Sequence, residues 1–170
     1  TRLAIIDLAA GTQPMSDASG RWWLSYNGEV YNYLELRAEL EAAGRVFETQ
    51  SDTEVVLQAW LHWGADCLAR FDGGFAFALY DSLSGRLVLA RDRFGKRPLY
   101  YLEHDGGFHF ASEMKAFLAL PGFHFEQDPA QLAGILAHWT PLPDQSGFKG
   151  IRSLPMGEWL SVEDGAVERH

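Results

Sequence analysis

The sequence predicts an α+β fold of layered antiparallel sheets, on three observations. Strand-like and helix-like stretches arrive in blocks, not in the strict alternation that parallel βαβ units require. Between residues 75 and 111 short apolar runs are separated by turn signals, the pattern of antiparallel strands. The 170 residues are 47% hydrophobic and include six Trp, enough apolar material for one packed core and hence one domain.

The elements follow in order. Leu3, Ile5, Ile6 and Leu8 form a short apolar run closed by Ala9-Ala10-Gly11, which suits a strand buried on both faces. Because that strand opens almost at Thr1, sequence ahead of Thr1 is expected. Residues 13–20, with Pro14, Ser16, Asp17 and Ser19, have loop composition. Residues 21–26 are rich in strand formers and run into Asn27-Gly28, a tight-turn signal. From Tyr33, the spacing of Leu34, Leu36, Leu40 and Ala43 among Glu and Arg predicts an amphipathic helix ended by Gly44. Ser51-Asp52-Thr53-Glu54 then starts a second helix, which runs through Val55, Leu57, Trp60 and Trp63 to Gly64. Apolar runs at 75–80, 86–90, 98–102 and 108–111 read as one antiparallel meander. Residues 112–119 read as a short helix, 129–139 as another, and 151–167 as a final hairpin. No internal repeat or low-complexity linker interrupts the chain.

Composition excludes several function classes. A formal net charge of −9 and a pI near 5.0 argue against binding nucleic acid by phosphate neutralisation, and the cluster Arg91, Arg93, Lys96 and Arg97 is short and local. The single cysteine, Cys67, allows no intrachain disulfide and no cysteine-type zinc site, which suits the reducing cytoplasm. The six His show no helical metal spacing, so no metal site is expected. No apolar run reaches the ~20 residues of a membrane span, and no export signal is visible.

A few side chains could carry chemistry. At Asn27-Gly28-Glu29, a side-chain amide beside an accessible backbone N–H can offer two donors to one oxygen, as an oxyanion site does. The same dipeptide alone is more often a hairpin turn. Arg2 could clamp a carboxylate and Asp52 could receive an amino group, so that an amino acid is held at both ends. A surface arginine and a helix-capping aspartate explain the same residues structurally. Asp92, between Arg91 and Arg93, reads as a solvated charged turn. Cys67 reads as core packing, not as a nucleophile. Thr1 is a sharper alternative, since an N-terminal threonine can attack with its own amine as base.

Six stretches taken together resemble a known family. They are Arg2 to Leu8 with Gly11 and Gln13-Pro14-Met15; Tyr26-Asn-Gly-Glu-Val-Tyr-Asn32; Ser51-Asp-Thr-Glu54; Phe71 to Asp81; Ala90-Arg-Asp-Arg93 with Pro98-Leu-Tyr-Tyr101; and Phe110-Ala-Ser-Glu-Met-Lys115. Their order and spacing resemble the class II glutamine amidotransferase domain, an N-terminal-nucleophile hydrolase, as found at the front of glutamine-dependent asparagine synthetases. Ile151-Arg-Ser-Leu-Pro-Met-Gly157 is similar to the segment that leaves this domain. Residues 1–170 are therefore identified as a single amidotransferase domain lacking its N-terminal segment, with 151–170 leading towards a synthetase domain.

The resemblance implies a four-layer αββα sandwich. It implies L-glutamine as substrate, with Arg2 on its carboxylate, Asp52 on its α-amino group, and Leu3, Ile5, Ile6, Gly28 and Glu29 around it. The Asn27 amide and the Gly28 N–H would form the oxyanion hole. The family nucleophile is an N-terminal cysteine, which this chain lacks; it would lie upstream of Thr1, and Cys67 cannot stand in. The resemblance implies no cofactor on this chain, and ATP and Mg for the synthetase domain that would use the ammonia to amidate aspartate. An amidotransferase serving a different acceptor and a non-catalytic module of the same fold are the alternatives. Gly74 replaces the usual Met, and Lys96-Arg97 the common Ile-Lys. Oligomeric state, homo-oligomer included, is not legible. Trp139, Leu142, Phe148 and Trp159 are candidates for a docking face.

Overall fold

A computed structural model describes residues 12–170, and every structural statement concerns those residues. The strand predicted at residues 3–8 lies outside them.

The chain runs β1 (Met15–Ser16), β2 (Trp22–Val30), α1 (Tyr33–Ala42), α2 (Asp52–Trp63), β3 (Gly73–Asp81), β4 (Leu87–Arg91), β5 (Tyr100–His104), β6 (Gly107–Ala111), α3 (Pro129–His138), β7 (Arg152–Ser153), β8 (Trp159–Glu163) and β9 (Ala166–Arg169). Turns of 3₁₀-helix occupy Gly64–Ala69 and Met114–Ala119. One sheet has the order β1-β2-β3-β4-β8-β9 and a second the order β6-β5-β7. Every pairing is antiparallel.

The alternation of side chains along β3 produces the layers. Phe75, Phe77 and Leu79 pack with Leu36, Leu40, Val55, Val56 and Trp60 from α1 and α2. On the opposite face, Ala76 and Ala78 meet Tyr101 of the second sheet with Leu99 and Leu154, which flank its strands. Small residues on that inner face let the two sheets approach. The outer face of the second sheet is covered by Phe117 of the 3₁₀ turn, with Ile151, Phe123, Phe125 and Phe148 around Leu102. The result is an α+β sandwich of helices, sheet, sheet and a mainly irregular helical layer, as expected.

Local chemistry accounts for the helices. In α1, Leu36 and Leu40 are one turn apart and buried, whereas Leu34 is exposed. Ser51 caps α2 by accepting from Thr53 N–H, and Asp52 and Glu54 place negative charge at its N-terminus. Buried side chains such as Val55, Val56 and Leu57 contribute roughly 1.5–3 kcal/mol each.

Several expectations from the sequence change, beginning with residues 13–20, expected as loop, which contain β1 paired to β2. Asn27-Gly28 is not a turn: β2 runs straight through it, with Asn27 opposite Ala76 and Gly28 opposite Phe75. The meander is two hairpins in two sheets, because β4 pairs with β3 and β8 while β5 pairs with β6 and β7. Likewise the segment predicted as one final hairpin is divided: β7 joins the second sheet, and the hairpin proper is β8–β9. The helix predicted at 112–119 is the 3₁₀ turn from Met114.

Asp92, expected to be solvated, sits at the point where the chain leaves the first sheet for the second. It is only 1% exposed. One carboxylate oxygen accepts from the N–H groups of Phe94 and Lys96, the other from those of Phe75 and Arg97. Arg91 donates to the carbonyls of Gly95, Arg97 and Leu154. A charged dipeptide reads as surface only while its backbone partners are unknown; here it satisfies a sharp bend that would otherwise bury unpaired amides.

Candidate functional site

The hydrogen-bonding direction of β2 singles out Gly28. Phe75, its cross-strand neighbour, spends both backbone groups on Asp92, and Tyr31 N–H bonds Asp72. Odd-numbered residues of β2 therefore bond towards β3, and the N–H groups of Tyr26, Gly28 and Val30 point the other way. Tyr26 N–H is taken by the Gln13 side-chain oxygen at 2.7 Å. Val30 N–H reaches Asp52 Oδ2 at 3.3 Å. Between them the Gly28 N–H finds no acceptor among the described residues and remains available to a ligand oxygen.

Gly28 is glycine for a steric reason. Its φ is +150°, and a Cβ there would stand 2.2 Å from the Gly74 carbonyl oxygen and 2.6 Å from Phe75 Cα. The two strands approach too closely for any side chain.

Asn27, one residue along, projects to the inter-sheet face together with Glu29. Its amide nitrogen donates to Ser112 Oγ, just beyond β6, at 3.2 Å. An amide has two N–H donors, so one remains. The side-chain amide and the neighbouring backbone N–H thus come from adjacent residues on one strand, as the sequence suggested.

Asp52, at the start of α2, closes the other side. It is 5% exposed and accepts from the Tyr26 hydroxyl at 2.9 Å as well as from Val30 N–H. Burial pushes its carboxyl above the ordinary range despite these donors, and burial together with the Asp52 charge pushes the Tyr26 phenol up strongly. A buried carboxylate with neutral donors and no ion-pair partner among the described residues is stabilised by a cation brought by a ligand.

Arg2, Leu3, Ile5 and Ile6 lie outside the described residues. The structure places Asn27, Gly28, Glu29 and Asp52 along one strand and the helix end beside it. Sequence inspection assigned no role to Tyr26, Gln13 or Ser112. The signal for the first two was available, since residues 26, 28 and 30 share one edge of a strand, but only the neighbouring chain shows which edge is free.

Concavities among the described residues border the two sheets. An apolar groove of about 480 Å³ lies between them, lined by Trp23, Ser25, Tyr80, Phe108 and Phe110; Ser25 is on the same strand face as Asn27. A pocket of about 520 Å³ on the other side of β3 is lined by Arg70, Arg91, Arg93, Asp72 and Trp159 and contains none of the four placed residues. No group of His, Cys, Asp or Glu among the described residues could hold a metal. No helix among them is long and apolar enough to cross a membrane.

Cys67 is fully buried, and burial, with the nearby Asp66 charge, pushes its thiol up to about 12. It is therefore neutral and enclosed, as expected of core. Of the four candidates for a docking face, Trp139 is 93% exposed and Leu142 is exposed. Phe148 packs on Phe125 and Trp159 on Trp60, so these two belong to the interior.

The family model for the glutamine amidotransferase domain matches residues 1–170. Asparagine synthetase [glutamine-hydrolyzing] 3 of Bacillus subtilis is 40% identical over 156 residues, covering 90% of this chain and 25% of that protein. Asparagine synthetase [glutamine-hydrolyzing] 2 of the same organism is 38% identical over 174 aligned residues, covering 99% and 23%. The chain thus spans about a quarter of the length of these relatives. Among solved structures, the glutamine phosphoribosylpyrophosphate amidotransferase of B. subtilis superposes with a TM-score of 0.67 at 24% identity, over 93% of this chain and 31% of that one, a likeness of fold.

Proposed function

Because the chain belongs to the glutamine amidotransferase domain family, we propose that it forms the glutamine pocket of an asparagine-synthetase-like enzyme, whose released ammonia serves ATP-dependent amidation of aspartate. The observation that carries the reading is the Gly28 N–H, unpaired among the described residues and held between two occupied ones, with the Asn27 amide beside it.

In the proposed reaction a cysteine thiolate from sequence ahead of Thr1 attacks the side-chain amide carbon of glutamine, its own α-amine relaying the proton. The developing oxyanion takes the Gly28 N–H and the Asn27 amide N–H. Collapse breaks the C–N bond, the protonated leaving group departs as ammonia, and a glutamyl thioester remains; water then hydrolyses it to glutamate. Asp52 receives the substrate α-ammonium and Arg2 its carboxylate, with Leu3, Ile5, Ile6 and Glu29 completing the pocket. Residues 151–170 lead to the synthetase part, which requires ATP and Mg, and the enzyme works in the cytoplasm.

Glutamate release by the full-length protein tests this. Asn27→Ala should lower kcat by about 10²–10³-fold, the usual effect of losing one oxyanion donor. Asp52→Asn keeps an oxygen to accept from Tyr26 and Val30 but not the charge, and should raise KM for glutamine by about tenfold to a hundredfold. Glutamate release that ignores both substitutions would reject the pocket; no release from the unsubstituted protein would leave a non-catalytic module.

A further inference from the structure

Position 74 and position 96 share one space. Gly74 lies opposite Glu29 in the β2–β3 ladder and, in step with Ala76 and Ala78, faces the second sheet. A Cβ on Gly74 would stand 2.8 Å from Lys96 Cδ and 3.0 Å from Lys96 Cβ, so the lysine stem fills the place of a side chain at 74. The Lys96 backbone is held there by its N–H bond to the buried Asp92 carboxylate at 3.1 Å. Its ammonium ends 5.4 Å from the ring centre of Tyr31, the first residue after the strand that carries Asn27, Gly28 and Glu29. It has no carboxylate partner among the described residues. Arg97, the next cation of the same loop, lies on the Tyr26 side, where its charge acts to lower the phenol.

We propose that Lys96, seated on Gly74, is a positioning residue of the glutamine site: its ammonium braces Tyr31 and the Asn27–Glu29 segment, and adds positive potential where the substrate's negative charge gathers. The role rests on the glutaminase function proposed above. An alkyl stem anchored beside the site delivers a charge with no carboxylate partner among the described residues, and such a cation favours a substrate carboxylate nearby. The stem alone would serve as filler; the charge distinguishes the two roles.

The test is glutamate release by the full-length protein at low and high ionic strength. Lys96→Met keeps the stem and removes the charge. It should raise KM for glutamine by about two- to fivefold with kcat little changed, the size of an exposed cation–π contact, and should flatten the salt dependence of kcat/KM. Lys96→Arg should restore both, and Gly74→Leu, which evicts the stem, should resemble Lys96→Met. A Lys96→Met protein with the unsubstituted KM and salt dependence would make Lys96 filler and overturn the role alone. No release from the unsubstituted protein would overturn the glutaminase function and this role with it.

Discussion

Gly28→Ala probes a close approach of β2 to β3. Two costs arise there. The φ of +150° is almost inaccessible to a residue with a Cβ, at roughly 1–3 kcal/mol. The new methyl would also lie 2.2 Å from the Gly74 oxygen and 2.6 Å from Phe75 Cα, both backbone atoms that cannot rotate aside, adding about 1–3 kcal/mol of overpacking. The sum, about 2–6 kcal/mol, is a large part of the 5–15 kcal/mol typical of a domain. Relieving the contact requires β2 to move away from β3 by about 1 Å, and a misplacement of that size can cost about a hundredfold in rate. Gly20→Ala is the matched control: its φ is +71° but nothing lies within 4 Å of the added Cβ, so about 1 kcal/mol is expected. Urea denaturation gives both stabilities, and glutamate release gives the rate. A Gly28→Ala protein no less stable than Gly20→Ala, with unchanged kcat, would refute the close-approach argument.

Three further predictions follow from buried and paired groups. Asp92→Ala removes the acceptor of four backbone N–H groups and should cost about 3–5 kcal/mol in urea denaturation; a near-neutral effect would mean that water can replace the carboxylate. Cys67, with its thiol pushed up to about 12, stays protonated at pH 8. Iodoacetamide should therefore modify it only after unfolding, and Cys67→Ala should leave glutamate release intact; rapid native alkylation would contradict its burial. Arg21 donates to both Asp81 oxygens at 2.7 and 2.6 Å and holds that carboxyl well below the usual carboxylate range. A depressed folded pKa stabilises above the ordinary carboxyl pKa and ceases to do so as pH falls towards the folded one. The Tm deficit of Arg21→Ala should therefore be constant near neutrality and shrink below about pH 4; a deficit independent of pH would show that the pair contributes no linkage.

Features with local causes were legible in the sequence. The Ser51 cap, the Leu36–Leu40 stripe, the glycines that close the first two helices and the apolar surroundings of Cys67 depend on neighbours within a turn or two. Block order alone was enough to exclude alternating βαβ topology. Asn27, Gly28 and Asp52 were singled out as candidates by residue type and resemblance.

Only the tertiary structure decided what those residues do to one another. A strand pattern states which side chains share a face but not which strand lies alongside, so the apparent meander became hairpins in two sheets. Asn27-Gly28 has the composition of a turn, yet Phe75 and Gly74, distant in sequence, extend the strand through it and turn the Gly28 N–H away from β3. Asp92 acquired its role from amides gathered by a bend between sheets, and the Lys96 stem occupies the space of the side chain that Gly74 lacks. Backbone pairing and close approach are set by residues remote along the chain, and no local pattern contains them.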